Sequence, residues 1–439
     1  MRSLVSNCSE TQPWLNAAAR TGMTLLRPLH FLMAQPSLLF MLTLTVMLFR
    51  PPDVQLYSLD RIAFVLLVFV VFMRGTVLQQ PLPMSRLVTW PMLGLLLLAL
   101  VDVAAQPYAA QNWSVLAARW IVPFALFHLA GLVFEDSVSL GHFEVFALIV
   151  LAYLSFTAIA FLFGLKQFIF PGFILDEGVG IHADRARGPF LQAVANGVTL
   201  NLLGLMAMDA FRRRRLRGTL GLAFLSALPL AILATRTRSV WLSFSGSILF
   251  LLLGSPSRRL RGACVGLVIA GMFGLLLVMS TCTGSLSSRL GDQGPLDYRT
   301  AVYDAGWHMF LEKPLLGWNA AQIQTELANR ISGFRVDAFF FHNTYLEIAV
   351  EHGLLGLGLY VWMVIDLLRI ARCRPKVAAN TFPDLQFRCL WPVMVMAYLV
   401  NACFVGMSYQ FVNGFLFSVA GILVAQNRRC KLQNDVLAE

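Results

Sequence analysis

The sequence predicts an all-α polytopic membrane protein of about 12 transmembrane helices with one long outward-facing helical loop. Three observations carry this. Hydrophobic residues make up 58% of the 439-residue chain and charged residues 13%, with a mean hydropathy of +0.69. A soluble globular chain carries about 25% charged residues, so the surface of a 48.8 kDa globule could not be covered with these. Second, the apolar residues fall into separate runs close to the ~20 residues that cross a bilayer. Third, the basic residues collect between those runs. The net charge of +11 therefore suits membrane topology and anionic headgroups rather than nucleic acid. Disorder, a coiled coil and a disulfide scaffold are excluded by the same composition. The seven cysteines show no CxxC and no paired spacing, and most sit in or beside apolar runs as small hydrophobes.

The runs read as spans at 29–49, 56–73, 87–105, 113–134, 143–165, 190–211, 219–234, 240–254, 262–281, 345–370, 389–404 and 410–425. The seventh and eighth are short. They are either full spans meeting at Thr235–Ser239 or a broken helical pair dipping around that arginine-bearing turn. The first run begins near Leu29, so no cleaved signal peptide is expected and the first span serves as the anchor. With a cytoplasmic N-terminus and twelve crossings, inside-facing segments hold 21 of the 34 basic residues, the sense of the positive-inside rule. The clusters Arg212–Arg215 with Arg217, Arg258/Arg259/Arg261, the 369–388 stretch and the tail then read as topology determinants. The organisation is a cytoplasmic segment 1–28, helices one to nine over 29–281, a large outer loop 282–341, helices ten to twelve over 342–425, and a cytoplasmic tail 426–439. Tyr303, Trp307, His308, Phe310 and Trp318 give the outer loop a mix suited to helices lying on the membrane face. The chain shows no internal repeat.

Four polar clusters converge on the outer face under this topology. Arg185 and Arg187 precede Gly188-Pro189-Phe190. Arg236 and Arg238 occupy the turn between spans seven and eight. Arg289 and Arg299 lie early in the large loop. His342-Asn343 opens the tenth span, and Asn343, Glu347 and Glu351 share a helix face at i, i+4 and i+8. Each cluster has a plain structural reading: arginines snorkel, Asn343 caps a helix, and the glutamates pair with any of these arginines. Together they describe more, because ionisable groups at membrane depth are costly. Several guanidinium groups suit phosphate or pyrophosphate, and a histidine accepts a proton near neutral pH. This describes a group transfer with a lipid pyrophosphate as leaving group, arginine taking the charge-stabilising role of a metal. Asp53 and Asp60 are too far apart for a carboxylate pair, so no metal and no cofactor are expected. Ser243-Phe244-Ser245-Gly246 only faintly matches an intramembrane-protease serine motif, and glycines 353–358 read as a close-packing surface for neighbouring helices.

At these residues the chain resembles the O-antigen ligase and Wzy-type polymerase superfamily. Phe341-His-Asn-Thr-Tyr-Leu-Glu-Ile-Ala-Val-Glu-His-Gly-Leu-Leu-Gly-Leu is similar to its "HN…L…E…GLLG" segment. Arg299 through Lys313-Pro314-Leu315-Leu316-Gly317-Trp318 resembles its arginine and "PLLG" stretch. Arg187-Gly-Pro-Phe190 with Asn196 resembles its "R.xGxF…PN" element, with Ala195 where proline is usual and Arg185 and Arg187 both competing for the arginine position. Thr235-Arg-Thr-Arg238-Ser239 resembles its "T.SR" turn. The resemblance covers about 165–360. It implies a GT-C-like, metal-independent glycosyltransferase of the bacterial inner membrane, with both termini cytoplasmic and loop 282–341 periplasmic. By residue, it implies His342 as the base on the acceptor hydroxyl. Arg187 and Arg238 would bind the pyrophosphate, with Arg185 and Arg299 in reserve and Asn343 and Glu347 in support. The implied partners are an undecaprenyl-pyrophosphate-linked glycan, a sugar acceptor (a lipid-linked repeat unit or lipid A-core), membrane lipids, a flippase and a chain-length regulator, and no nucleic acid. A Wzy-type polymerase of O-antigen or exopolysaccharide is the first expectation and a ligase to lipid A-core or protein the second. A lipid-linked sugar transporter is a third reading of another class. It would show paired halves with interrupted helices at midplane.

Overall fold

The structure is a computed structural model describing residues 34–50, 58–77, 88–281, 294–318, 320–331, 334, 339–372 and 382–436. The expected segment 1–28, Asp53 and Arg289 lie outside the described residues. Those residues form fourteen helices and no strand: α1 (Pro36–Leu48), α2 (Leu59–Val77), α3 (Thr89–Ala104), α4 (Ala110–Val133), α5 (Ser137–Leu162), α6 (Ala193–Arg212), α7 (Gly218–Ala234), α8 (Arg238–Gly254), α9 (Arg258–Thr281), α10 (Gly294–Glu312), α11 (Ala320–Arg330), α12 (Thr344–Arg369), α13 (Phe387–Ala402) and α14 (Gln410–Val436). Each apolar run coincides with one helix, and the two additional helices, α10 and α11, lie in the large loop. Helices α4, α5, α6, α9 and α12 are long and apolar enough to cross a membrane; α1, α3, α7, α8 and α13 are shorter apolar helices. The chain is a multi-pass membrane protein. Spans seven and eight are two separate 17-residue helices meeting at the turn around Arg236.

Local chemistry sets several helix ends. Asp136 accepts hydrogen bonds from the backbone N–H groups of Val138 and Ser139 at 2.8 and 2.9 Å, capping α5. Asn343 does the same for Tyr345 and Leu346 at 3.0 and 3.2 Å, capping α12. Helix α6 is buried on nearly every side and packs against α5, α7, α8, α9, α13 and α14. Asn201 of α6 and Asn401 of α13 both donate to Ser243 Oγ of α8, at 3.2 and 2.8 Å. The serine that faintly matched a protease motif is thus a polar knot between three helices.

Several residues of the basic clusters are drawn into the fold. Arg212 and Arg213 are buried at the foot of α6. Arg213 pairs with Asp209 at 2.8 Å and with Glu144 of α5, and Arg212 pairs with Asp209 at 2.5 Å and Asp384 at 2.6 Å. Arg388 is buried against Asn427 and Gln426 of α14. Topology determinants would lie among the headgroups; neighbouring carboxylates and amides draw these guanidinium groups inside instead.

Helices α10 and α11 enclose a small core of their own, with Val302, Met309, Phe310, Trp318 and Leu327 packed on Val350 of α12. Phe310 and Trp318 were expected on the membrane face and are instead inside this core, while Trp307 and His308 are exposed. The glycine run of α12 also departs from expectation. Gly353 adopts φ 61° and ψ −159° and breaks the helix. The opened backbone is taken up by the Pro314–Trp318 loop: Leu354 N–H donates to Pro314 O at 2.7 Å, Leu355 N–H to Leu315 O at 3.3 Å, and Trp318 N–H to Val350 O at 2.7 Å. Non-helical backbone at membrane depth persists only where its groups find such partners. A Cβ on Gly353 would stand 2.3 Å from Leu315 O. Gly353→Ala is therefore expected to cost about 1–3 kcal/mol and lower the melting temperature in detergent. Gly358→Ala, with nothing within 4 Å of its Cβ, leaves it unchanged.

Candidate functional site

His342 sits just before α12 in a left-handed conformation, φ 50°, unusual for a residue with a Cβ. Its ring is half-buried between aromatic neighbours, 6.0 Å from Tyr298 and 6.2 Å from Phe340. Tyr303 Oη, one turn beyond Arg299 on α10, donates to the His342 carbonyl at 3.2 Å. Close packing of α10 on the 341–346 segment at Gly306 holds these parts together. Burial first, then the nearby Arg299 and His182, push the His342 imidazole below the ordinary histidine range. The ring is thereby neutral at pH 7, the form that can take a proton.

His182, at φ 56°, opens the loop that carries Arg185 and Arg187. This loop is tied to the turn between α7 and α8: Ala186 N–H donates to Ala234 O at 3.2 Å, and Arg236 Nη1 to Asp184 O at 3.5 Å. Arg236 is again left-handed, at φ 48°. Strained, non-glycine backbone at His182, Arg236 and His342 marks three of the converging segments, and strain of this kind collects at functional sites. Arg238, the first residue of α8, is exposed and Arg185 is half-buried. The structure therefore brings the loop, the turn, Arg299 and His342 into one region.

Arg187 has a different setting. It is 1% exposed, and its guanidinium donates to the carbonyls of Ile174 at 2.9 Å, Val179 at 2.5 Å and Asp176. It organises the 174–179 loop from within. Asn196 completes the arrangement by donating to Ala186 O at 2.8 Å, and Gly188 has no Cβ to strike its amide, which lies 2.8 Å from that position.

Glu347 and Glu351 do share a helix face, but among the described residues the arginine that both are seen to pair with is not on the outer face. Both bind Arg119 of α4, at 3.3 and 3.1 Å. Arg119 lies in a five-residue π-helical turn, Ala117–Ile121, a feature frequent at functional positions. Its Nη2 is buried without a hydrogen-bond partner. The sequence signal for Arg119 was its isolation inside an apolar span; its two partners lie more than 220 residues away.

Residues 221–361 match the family model described as O-antigen ligase. The matched region runs from α7 through the arginine turn and the α10–α11 loop into α12. It contains Arg238, Arg299, His342, Asn343, Glu347 and Glu351, and it begins after Arg119, Arg185 and Arg187. No curated protein matches the chain. Over residues 221–361, and over that stretch alone, the chain is similar to the O-antigen ligase family.

Proposed function

We propose that the protein transfers a glycan from an undecaprenyl-pyrophosphate carrier to a sugar hydroxyl at the periplasmic face of a bacterial inner membrane, as a Wzy-type polymerase. The supporting observation is the half-buried His342 near Arg299 and His182, the latter opening the loop that carries Arg185 and is tied to the turn before Arg238. The family implies ligase- or polymerase-type glycosyl transfer, with a lipid-linked glycan and an acceptor as substrates. In this reading the acceptor oxygen attacks the anomeric carbon, His342 takes its proton, and the bond to the pyrophosphate oxygen breaks. Arg238, Arg185 and Arg299 stabilise the departing charge, Asn343 caps α12 beneath His342, and Glu347 fixes the same helix through Arg119. Arg187 shapes the loop that presents Arg185. All twelve apolar helices cross the membrane, with both termini cytoplasmic and the α10–α11 loop periplasmic.

This division of labour among arginines has a direct test. Arg187→Lys keeps the charge but loses the fork that reaches three carbonyls. It is expected to cost roughly 2–4 kcal/mol, seen as a lower melting temperature together with lower transfer. Arg238→Lys leaves melting unchanged and lowers transfer by roughly tenfold or more.

A ligase that passes the finished chain to lipid A-core is the second reading, favoured by the description of the matched family. Deleting the gene separates the two. A strain bearing single repeats on lipid A-core has lost a polymerase. One that accumulates full-length lipid-linked polymer has lost a ligase. Unaltered surface glycan would refute both.

A further inference from the structure

We infer that the α10–α11 hairpin rests on the lipid surface through Trp307, Leu311, Leu315 and Leu316, and that α12 enters the hydrocarbon only at Leu354, just past its break. The inference depends on the multi-pass character of the chain and not on the glycosyl-transfer reading.

The first observation is the exposure pattern of α12. No residue from Thr344 to His352 is exposed, whereas Leu354, Leu355, Val361, Trp362 and Ile365 are. A lipid-facing apolar stripe at helical spacing thus begins at the break and not at the helix start. From Leu354 through the terminal turn to Arg372 is about nineteen residues, ~28 Å at 1.5 Å per residue. That matches a hydrocarbon layer of ~30 Å. The nine residues above the break carry Glu347, Glu351 and His352, which hydrocarbon would not tolerate facing outward.

The second observation is the loop docked at the same level. Its backbone is pinned to Val350, Leu354 and Leu355, so its height relative to the span is set by hydrogen bonds. Yet its side chains point away from the protein: Leu315 is 69% and Leu316 72% exposed, with Leu311 at 54% and Trp307 at 53% on the preceding helix. These side chains are continuous with the exposed Leu354 and Leu355 of the span. A contiguous apolar patch of this kind marks an interaction surface, and its continuity with a lipid-facing stripe identifies the partner as lipid.

The surrounding charges suit that depth. Lys313 lies over the Trp318 ring at 3.7 Å, and Arg330 pairs with Glu312 at 2.6 Å. These cations stand at the rim, where long basic side chains reach phosphate. Trp307 is one turn above Leu311, the position of an interfacial aromatic anchor. Asp304, exposed and one turn before Trp307 on the same helix, begins the aqueous side.

Nitroxide accessibility in the full-length chain tests this, in vesicles of phosphatidylethanolamine and phosphatidylglycerol. On a cysteine-free background, a label at Leu316→Cys is expected to collide more with oxygen than with a polar nickel chelate, and one at Asp304→Cys the reverse. The depth parameter should change sign between the two sites. A negative value at Leu316, equal to that at Asp304, would overturn the inference. Should the cysteine-free chain fail to fold, benzophenone-alanine placed at 316 in the native background gives the same decision. Ultraviolet cross-linking to phospholipid at 316 and not at 304 supports lipid contact. Cross-linking at 316 to protein alone, or no lipid adduct there, rejects it.

Discussion

Replacing His342 with alanine is expected to lower glycan transfer by ~10²–10⁴, the usual worth of a general base, without changing protein level or membrane insertion. A sugar hydroxyl is a weak nucleophile, and its proton must leave as the new bond forms. His342→Gln keeps hydrogen bonding but cannot take the proton, so it should be as inactive as the alanine variant. An active glutamine variant beside a dead alanine variant would make His342 a positioning residue, and normal product from both would remove it from the mechanism. The pH profile gives an independent readout. If His342 is the base, the neutral imidazole is the competent form, and burial with Arg299 and His182 holds its pKa below the ordinary histidine value of about 6.5. Transfer should therefore stay level from pH 7.5 to about 6.5 and fall only at lower pH, as the ring gains its proton. Loss of activity already above about 6.5 would contradict a lowered value.

Arg119→Ala should be the most destabilising single change. It leaves Glu347 and Glu351 on one helix face without their cation. Removing one partner of a buried ion pair costs about 3–5 kcal/mol, a large share of the 5–15 kcal/mol that holds a typical domain folded. Folded yield and melting temperature in detergent should both drop. The cost arises from stranded charge, so Arg119→Met combined with Glu347→Gln and Glu351→Gln should recover much of the lost stability. A single Arg119→Ala variant that melts like the wild type would show that the triad contributes nothing to the fold.

The helices were legible because a lipid solvent allows few alternatives: an apolar run of bilayer length must satisfy its own backbone. Asn343 as a cap was legible for the same local reason, since its side chain bonds only two and three residues onward. The partners of Arg187 were not. Three backbone carbonyls hold it, and every residue type supplies a carbonyl, so no pattern of side chains announces them. The Gly353 break was hidden by its own neighbours: Gly-Leu-Leu-Gly-Leu-Gly reads as a packing surface, and what opens the helix is a loop more than thirty residues upstream. The arginine motifs named the loop and the turn that the fold ties together. Which guanidinium turns inward and which stays exposed depended on how the 174–190 loop folds over α6, and that is a tertiary property.

The ion cluster at the foot of α6 has a consequence for the order of events during synthesis. Arg212 leaves the ribosome 172 residues ahead of its partner Asp384. At 5–20 residues per second the gap lasts about 10–30 seconds. Throughout it the guanidinium has only part of its final company and, in the proposed orientation, is available to anionic headgroups on the side from which translation proceeds. In the proposed orientation one side chain serves two successive offices, first orienting a nascent hairpin and later locking a finished bundle. Asp384, arriving last, can take part only in the second. Neutralising Asp384 should leave orientation untouched and loosen the mature protein, whereas neutralising Arg212 and Arg213 should disturb insertion as well.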